Sequence, residues 1–460
     1  MADVRSPEWW VTRLYGKLVA RRDLIDLFSA YYAGDHPLPW LAPQARDEFR
    51  RILRMTRSNY MGLVCDAPAE REIIEGFRFG EEGPADKETW RLWQANDLDS
   101  YSDQGILEAH ITGYAYMLIA PGASPDVTPQ AWIEHPSQTI VEFEPGMGRR
   151  VRAAGLKAWL DDWTGMLHAT LYLPDWIVKF QAKPADDINK VVWERREVLG
   201  EDWPARNPLG EVPLVEIANR PRLLHGGVSE MADVIDIQDR INKTIADRLI
   251  TQDYGAFPQK WATAWPEEDE KGNPTPPIDV GRNRMVTTEV KETTFGQFSA
   301  APLDPYSTAK REDVKDIASR TRTPAQYLLG EMSNVNGETL KASESGLVSK
   351  VRQSCRTLGE DFETGVKLLR KAAGLGADDS AMETIWRNPE YRTEGELTDS
   401  VVKKYQSGLV SLRQAREDLG YTATQIARME SEDVLASAND PILAAANKLT
   451  GGAGATPNGQ

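Results

Sequence analysis

From Val228 to Thr251 the chain runs for about 24 residues, roughly 36 Å of helix at 1.5 Å per residue, without a glycine or proline. No other stretch constrains the fold as strongly. Met231, Val234, Ile235, Ile241, Ile245 and Leu249 recur at i, i+3, i+4 and i+7 spacing, the stripe of an amphipathic helix. Ser229 stands where an N-cap is needed. The opposite face is acidic, with Glu230, Asp233, Asp236, Asp239 and Asp247.

The half before this helix reads as α+β. Leu14, Leu18, Leu24, Ile25 and Phe28 predict a helix within residues 1–30, ended by the turn cluster Tyr31 to Pro37. A second helix is predicted over 44–66, a third around Trp90 and Trp93, and a fourth over 98–111, broken at Gly113. Strands are predicted at 114–119 and through much of 131–217, including Thr139 to Phe143, Ala169 to Leu173, Ile177 to Phe180 and Val191 to Trp193. The segment 256–303 is rich in proline and acidic residues, with short strands predicted at 278–280 and 284–290. Helix resumes near 304 and stops at Pro324. A polar loop, Gly330 to Gly337, leads into a long helix from Glu338 to Ala373, carrying Leu340, Leu347, Val351, Leu358, Phe362 and Val366. A last helical section is predicted over 396–436, and Gly451 to Gln460, without an apolar anchor, is expected to be disordered.

The 460 residues suffice for two to four modules, and 41% hydrophobic with 27% charged residues is a globular balance. No apolar run approaches 18 residues, so no membrane-spanning helix is expected. The charged start MADVRSPEWW does not read as a secretory signal. Cys65 and Cys355 lie far apart and form no paired-cysteine pattern, which fits a reducing compartment. A net charge of −16 argues against tight DNA binding, which draws its affinity from phosphate neutralisation. It is compatible with a protein that lets DNA pass without holding it.

No catalytic, cofactor-binding or metal-ligating set emerges. There is no G-x-x-x-x-G-K-[ST] phosphate loop. Gly146-Met147-Gly148 begins like a dinucleotide fingerprint, but it lacks the third small residue and the helix that should follow. His36, His110, His135, His168 and His225 have no metal-ligand spacing and read as structural. Ser307-Thr308-Ala309-Lys310 matches S-x-x-K without its companion motifs. Cys65 and Cys355 read as small buried hydrophobes. The 14 tryptophans have no interleaved basic clusters and read as packing residues rather than base-stacking platforms.

An ordered set of local motifs runs through Tyr31-Tyr32-Ala33-Gly34-Asp35-His36-Pro37, Asn59 to Asp66 with Arg71 and Gly76-Phe77, and Trp93 to Asp99 followed by Gly113-Tyr114-Ala115-Tyr116. Val212 to Val215, Asn219-Arg220-Pro221 and Asp233 to Thr244 come next, then Leu303 to Tyr306, Thr323-Pro324 and Gly337 to Lys341. The set resembles the portal (head-to-tail connector) proteins of tailed bacteriophages, of the siphovirus type. The resemblance covers about residues 10–435. It implies an α+β elongated subunit: a wing over 1–227, stem helices over 228–255 and 304–323, and a clip over 256–303. The tunnel loop and long helix would occupy 324–375, and a wing return with a helical crown 376–447.

The resemblance further implies a ring of twelve subunits at one capsid vertex, a channel for packaging and ejecting double-stranded DNA, and no enzymatic activity or cofactor. Implied partners are the terminase large subunit, a head–tail adaptor, and the major capsid and scaffolding proteins. Implied locations are the virion and, during assembly, the host cytoplasm. Ser333, Asn334, Val335, Asn336 and Gly337 would form the tunnel loop, Lys341 and Lys350 would guide the DNA, and Trp261, Trp265, Glu267 and Glu268 would bind partners at the clip. Twelve copies at −16 carry roughly −190 charges, and duplex DNA carries about one phosphate charge per 1.7 Å, so the wall would repel rather than grip the strand. The alternatives are another soluble phage structural protein without a channel, separable by particle size, and a hydrolase with an unrecognised motif, separable by turnover.

Overall fold

The computed structural model describes residues 3–40, 50–79, 86–122, 127–147, 151–200, 203–256, 260–264, 291–297, 299, 301–330, 337–376, 381–390 and 394–438. The helices are α1 (Pro7–Tyr32), α2 (Arg50–Arg54), α3 (Met61–Ala69), α4 (Lys87–Gln94), α5 (Leu98–Thr112), α6 (Ile235–Ala256), α7 (Asp304–Thr321), α8 (Ala325–Leu329), α9 (Gly337–Ala372), α10 (Glu394–Gln406), α11 (Leu412–Asp418) and α12 (Ala423–Ala438). The strands are β1 (Ile74–Phe79), β2 (Tyr114–Ala120), β3 (Gln130–Glu134), β4 (Thr139–Phe143), β5 (Arg152–Asp161), β6 (Met166–Tyr172), β7 (Trp176–Ala182), β8 (Glu194–Arg195), β9 (Ala205–Arg206), β10 (Leu214–Ala218), β11 (Lys260–Thr263), β12 (Thr294–Gln297) and β13 (Met382–Trp386). They fall into two compact units, one made of residues 1–29, 63–232 and 333–460, the other of 30–62 and 233–332.

The first unit has two main cores. In one, strands β4 to β8 form an antiparallel sheet in sequence order, with β9 paired to β7. Alternation sends Leu167, Ala169 and Leu171 of β6 and Val178 and Phe180 of β7 to one face. There they meet Trp10, Val11, Leu14 and Leu18, the stripe of α1. In the other, α5 and α9 pack on the sheet β10–β2–β3. Gly365 lets α9 come close to β2, since a Cβ there would stand 2.5 Å from Met117 Sδ. Trp93 of α4 is fully buried, edge-on to Phe77 at 4.9 Å and Phe362 at 5.9 Å. Asp86 caps α4 by accepting from Thr89 N at 3.1 Å. Gly113 ends α5 with a φ of 95°, its N–H donating to Ala109 O.

In the second unit, α6 and α7 pack along one another, burying Ile237, Ile241 and Ile245 on one helix and Val314, Ile317 and Ala318 on the other. Arg240 bridges to Asp313 at 2.7 Å and Asp316 at 3.2 Å. The opposite side of α6 is polar but not free. Asp239 accepts from Tyr31 Oη at 2.7 Å, Asn242 meets His36 at 3.0 Å, and Gln238 donates to Ser58 O at 2.6 Å.

The sequence expectations fare unevenly. The long helix falls within one residue of its predicted ends. The helix predicted from 228 begins at Ile235 instead, because residues 230–234 form turns and Ser229 and Glu230 are buried. Ser229 Oγ accepts from Met231 N at the start of those turns and caps no helix. Among the described residues of the helix predicted over 44–66 there are two helices, α2 and α3, interrupted where Asn59 Oδ1 accepts from the N–H groups of Met61 and Gly62. Val191 to Trp193 is not a strand, and the last helical section is three helices. The strand β1, which the sequence reading does not include, pairs antiparallel with β13 some 300 residues later. The strands predicted at 278–280 and 284–290 and the C-terminal tail lie outside the described residues.

Candidate functional site

In the first unit, four ionisable side chains from distant parts of the chain meet in the interior. Glu72 lies in the turn after α3, His110 in the last turn of α5, Glu230 in the segment after β10, and Lys350 on α9. His110 Nε2 is 2.7 Å from Glu72 Oε2, and its Nδ1 is 3.8 Å from Glu230 Oε1. Lys350 Nζ stands 2.7 Å from Glu230 Oε2, and Arg220 reaches the same oxygen at 3.2 Å. Asn219 Nδ2 donates to Glu230 Oε1 at 3.1 Å, and Glu230 N donates to His110 O at 2.9 Å. Glu72, His110 and Glu230 are all at most 2% exposed. A second ion pair, Arg71 with Glu344 at 3.6 Å, ties the turn after α3 to α9 one step nearer its start.

The electrostatics follow from burial and alternation of charge. Burial alone would lower the His110 pKa. The carboxylates of Glu72 and Glu230 outweigh it and hold the imidazolium up to about 9. Burial alone would raise the Glu230 pKa, but His110, Lys350 and Arg220 together drive it far below the ordinary carboxylate range. Each acid is held by a cation, so neither offers a base to a substrate. Cys65 Sγ, 3.8 Å from His110 O, is desolvated and its pKa lies well above the usual thiol value, which makes it a poor nucleophile. Burial likewise raises the Cys355 thiol. Among the described residues no group of three or more His, Cys, Asp or Glu side chains is arranged to hold a metal ion. The arrangement is a charged clamp that fixes α9 to the segment after β10, to α5 and to the turn after α3.

Lys350, expected from sequence to guide DNA, is 8% exposed and committed to Glu230. That expectation is corrected: an ammonium spent on a buried carboxylate cannot face a duplex. Its position was open to notice, since Lys350 follows Leu347 by three residues and precedes Val351, on the buried stripe of the helix. Lys341 lies exposed near the start of α9, and Gly337 is its first residue. Ser333, Asn334, Val335 and Asn336 lie outside the described residues, as do Trp265, Glu267 and Glu268. Trp261 is on β11, 38% exposed and opposite Gly296 of β12, where a Cβ would overlap its indole. His110, Glu72 and Glu230 were missed as a set because nothing in local spacing joins residues so far apart. Among the described residues no helix is long and apolar enough to cross a membrane.

The segment from Asn219 to Glu230 is pinned from both sides. Asn219 N donates to Gly113 O at 3.1 Å, Val228 N donates to Asn219 O at 2.9 Å, and Asn219 Nδ2 donates to Val228 O at 2.8 Å. A Cβ on Gly227 would overlap the carbonyl of Gly113, and one on Gly226 the hydroxyl of Tyr114. Between these anchors, Arg222 and His225 exchange backbone hydrogen bonds across Leu223 and Leu224.

Comparison with known proteins gives a consistent answer. Residues 14–435 match the family model described as phage portal protein, SPP1 Gp6-like. A portal protein of Mycobacterium phage D29 is 29% identical over 393 residues, covering 81% of this chain and 78% of that protein. A portal protein of Mycobacterium phage L5 is 27% identical over 445 residues, covering 90% and 88%. A solved chain from the neck of an empty GTA particle, computed with C6 symmetry, is 13% identical with a TM-score of 0.42, covering 84% of this chain and 95% of that one.

Proposed function

The chain belongs to the SPP1 Gp6-like family of phage portal proteins, and on that premise we propose that twelve copies close a ring at one capsid vertex and form the channel for double-stranded DNA. The observation that carries this reading is the family match, which spans residues 14–435 and so takes in both units. In this reading the segment 331–336 and the start of α9 face the channel. The segment 331–336 has Asn334, Asn336, two apolar residues, Met332 and Val335, and no basic side chain, which suits contact with a sliding duplex without retention. The ribbon β11–β12 with Trp261, together with Trp265, Glu267 and Glu268, receives first the terminase large subunit and later the adaptor. An aromatic beside a carboxylate rim is the composition of a partner surface. Capsid and scaffolding proteins meet the ring from outside.

End-on electron micrographs of the purified chain should show annuli of several hundred kDa. Deleting Ser333 to Asn336 should leave soluble annuli and reduce DNA packaging or retention in assembled particles. Full packaging by the deletion variant would remove the channel role of this segment.

A further inference from the structure

Leu223 and Leu224 form the tip of the loop between β10 and α6, and they are 95% and 103% exposed. The backbone hydrogen bonds between Arg222 and His225 close a two-residue turn. Leu224 takes a φ of 65° at its third position, where glycine is the usual occupant. A leucine there meets both steric strain and water. Among the described residues neither leucine has a packing partner, and glycine would suit position 224 better. The loop is also firmly based. Asn219 and Arg220 engage buried Glu230, and Gly226 and Gly227 press on Tyr114 and Gly113. A departure from local preference on a firmly held scaffold marks a place shaped for something outside the fold.

We propose that Leu223 and Leu224 are an assembly finger that inserts into an apolar surface of the adjacent copy of this chain. This rests on the ring reading and names residues that would close it. Two observations select a second copy as the occupant. First, the loop is locally basic: Arg220 is spent on Glu230, but Arg222 at the tip is exposed and residues 217–229 contain no carboxylate, while the whole chain carries −16, so another copy offers the complementary field. Second, a ring of identical subunits needs contacts in which a projection on one copy meets a different surface on the next. A rigid projection with two large apolar side chains suits that role, because little conformational entropy is lost when it docks.

The test uses the full chain. The double variant Leu223→Asp/Leu224→Asp should melt as the wild-type subunit does, since both side chains are exposed. It should raise the concentration needed for half-maximal ring assembly about tenfold or more, read by mass photometry and negative stain. Leu224→Gly should melt at the same temperature or higher and still weaken assembly. Benzoylphenylalanine at position 223 should, on irradiation of the pure protein, give covalently linked dimers and longer ladders. Assembly of both variants at the wild-type concentration would overturn the proposal. So would cross-links confined to one chain, or formed only after a capsid, adaptor or terminase protein is added. A wild-type chain that forms no rings would remove the ring reading itself, a result distinct from rings that ignore the finger.

Discussion

Lys341 and Lys350 look equivalent as letters, nine residues apart on one helix, and the structure makes them opposites. Replacing Lys350 by Met strands Glu230 among fewer cations and should destabilise the first unit by about 3 kcal/mol, the usual scale for breaking a buried ion pair. Lys341→Ala, on the exposed face, should stay within about 0.5 kcal/mol. Pairing Lys350→Met with Glu230→Gln should cost less than the two changes summed, and thermal melting of the four proteins gives the coupling. His110 adds a pH dependence with a definite sign. Its pKa rises from about 6.5 when unfolded to about 9 in the fold. Its contribution is therefore fully present below pH 6.5 and is lost as pH climbs through 9. On the order of 3 kcal/mol is at stake. His110→Gln should flatten that decline, and a slope unchanged in the variant would show that His110 is neutral in the fold. Sequence reading placed His110 among the structural residues, but it took Lys350 for a guide to DNA and Glu230 for the polar face of a helix. It could not see which histidine meets which acid, because Glu72, His110, Glu230 and Lys350 are joined by packing and not by spacing.

At the scale of elements, legibility followed how local the determining contacts are. The α9 stripe of Leu347, Val351, Leu358 and Phe362 sets its own buried face, so the helix could be read almost to its ends. Residues 228–234 share the periodicity of α6, but Glu230 is pulled into the ion cluster and Ser229 is buried, so long-range contacts override helix there. β1 and β13 escaped because each acquires a partner only across most of the chain. The close approach of α9 to β2 predicts that Gly365→Val, which pushes into Met117, will lower the melting temperature by overpacking worth about 1–3 kcal/mol. On the ribbon, Trp261→Ala should leave that temperature nearly unchanged, since the side chain is 38% exposed and among the described residues lies over Gly296, and should weaken adaptor or terminase binding. Unaltered affinity would make the indole a cover for Gly296 alone.

For the molecule as a whole, composition constrained chemistry better than shape. A chain of −16 without a phosphate loop should hydrolyse no ATP, with or without duplex DNA. Steady turnover that survives repeated purification would contradict this. The family match and the ordered motifs agree on residues 14–435, so the order of weak local signals carried more information than any one of them. The buried clamp of Glu72, His110, Glu230 and Lys350 has a further consequence, which belongs to descent rather than to mechanics. No member can lose its charge alone without leaving an opposite charge stranded in the interior. Viable lineages must therefore cross this site in correlated steps, a carboxylate and its cation changing together or all four giving way to apolar residues. Among related chains the four positions should co-vary as a block, while Lys341, on the exposed face of the same helix, drifts.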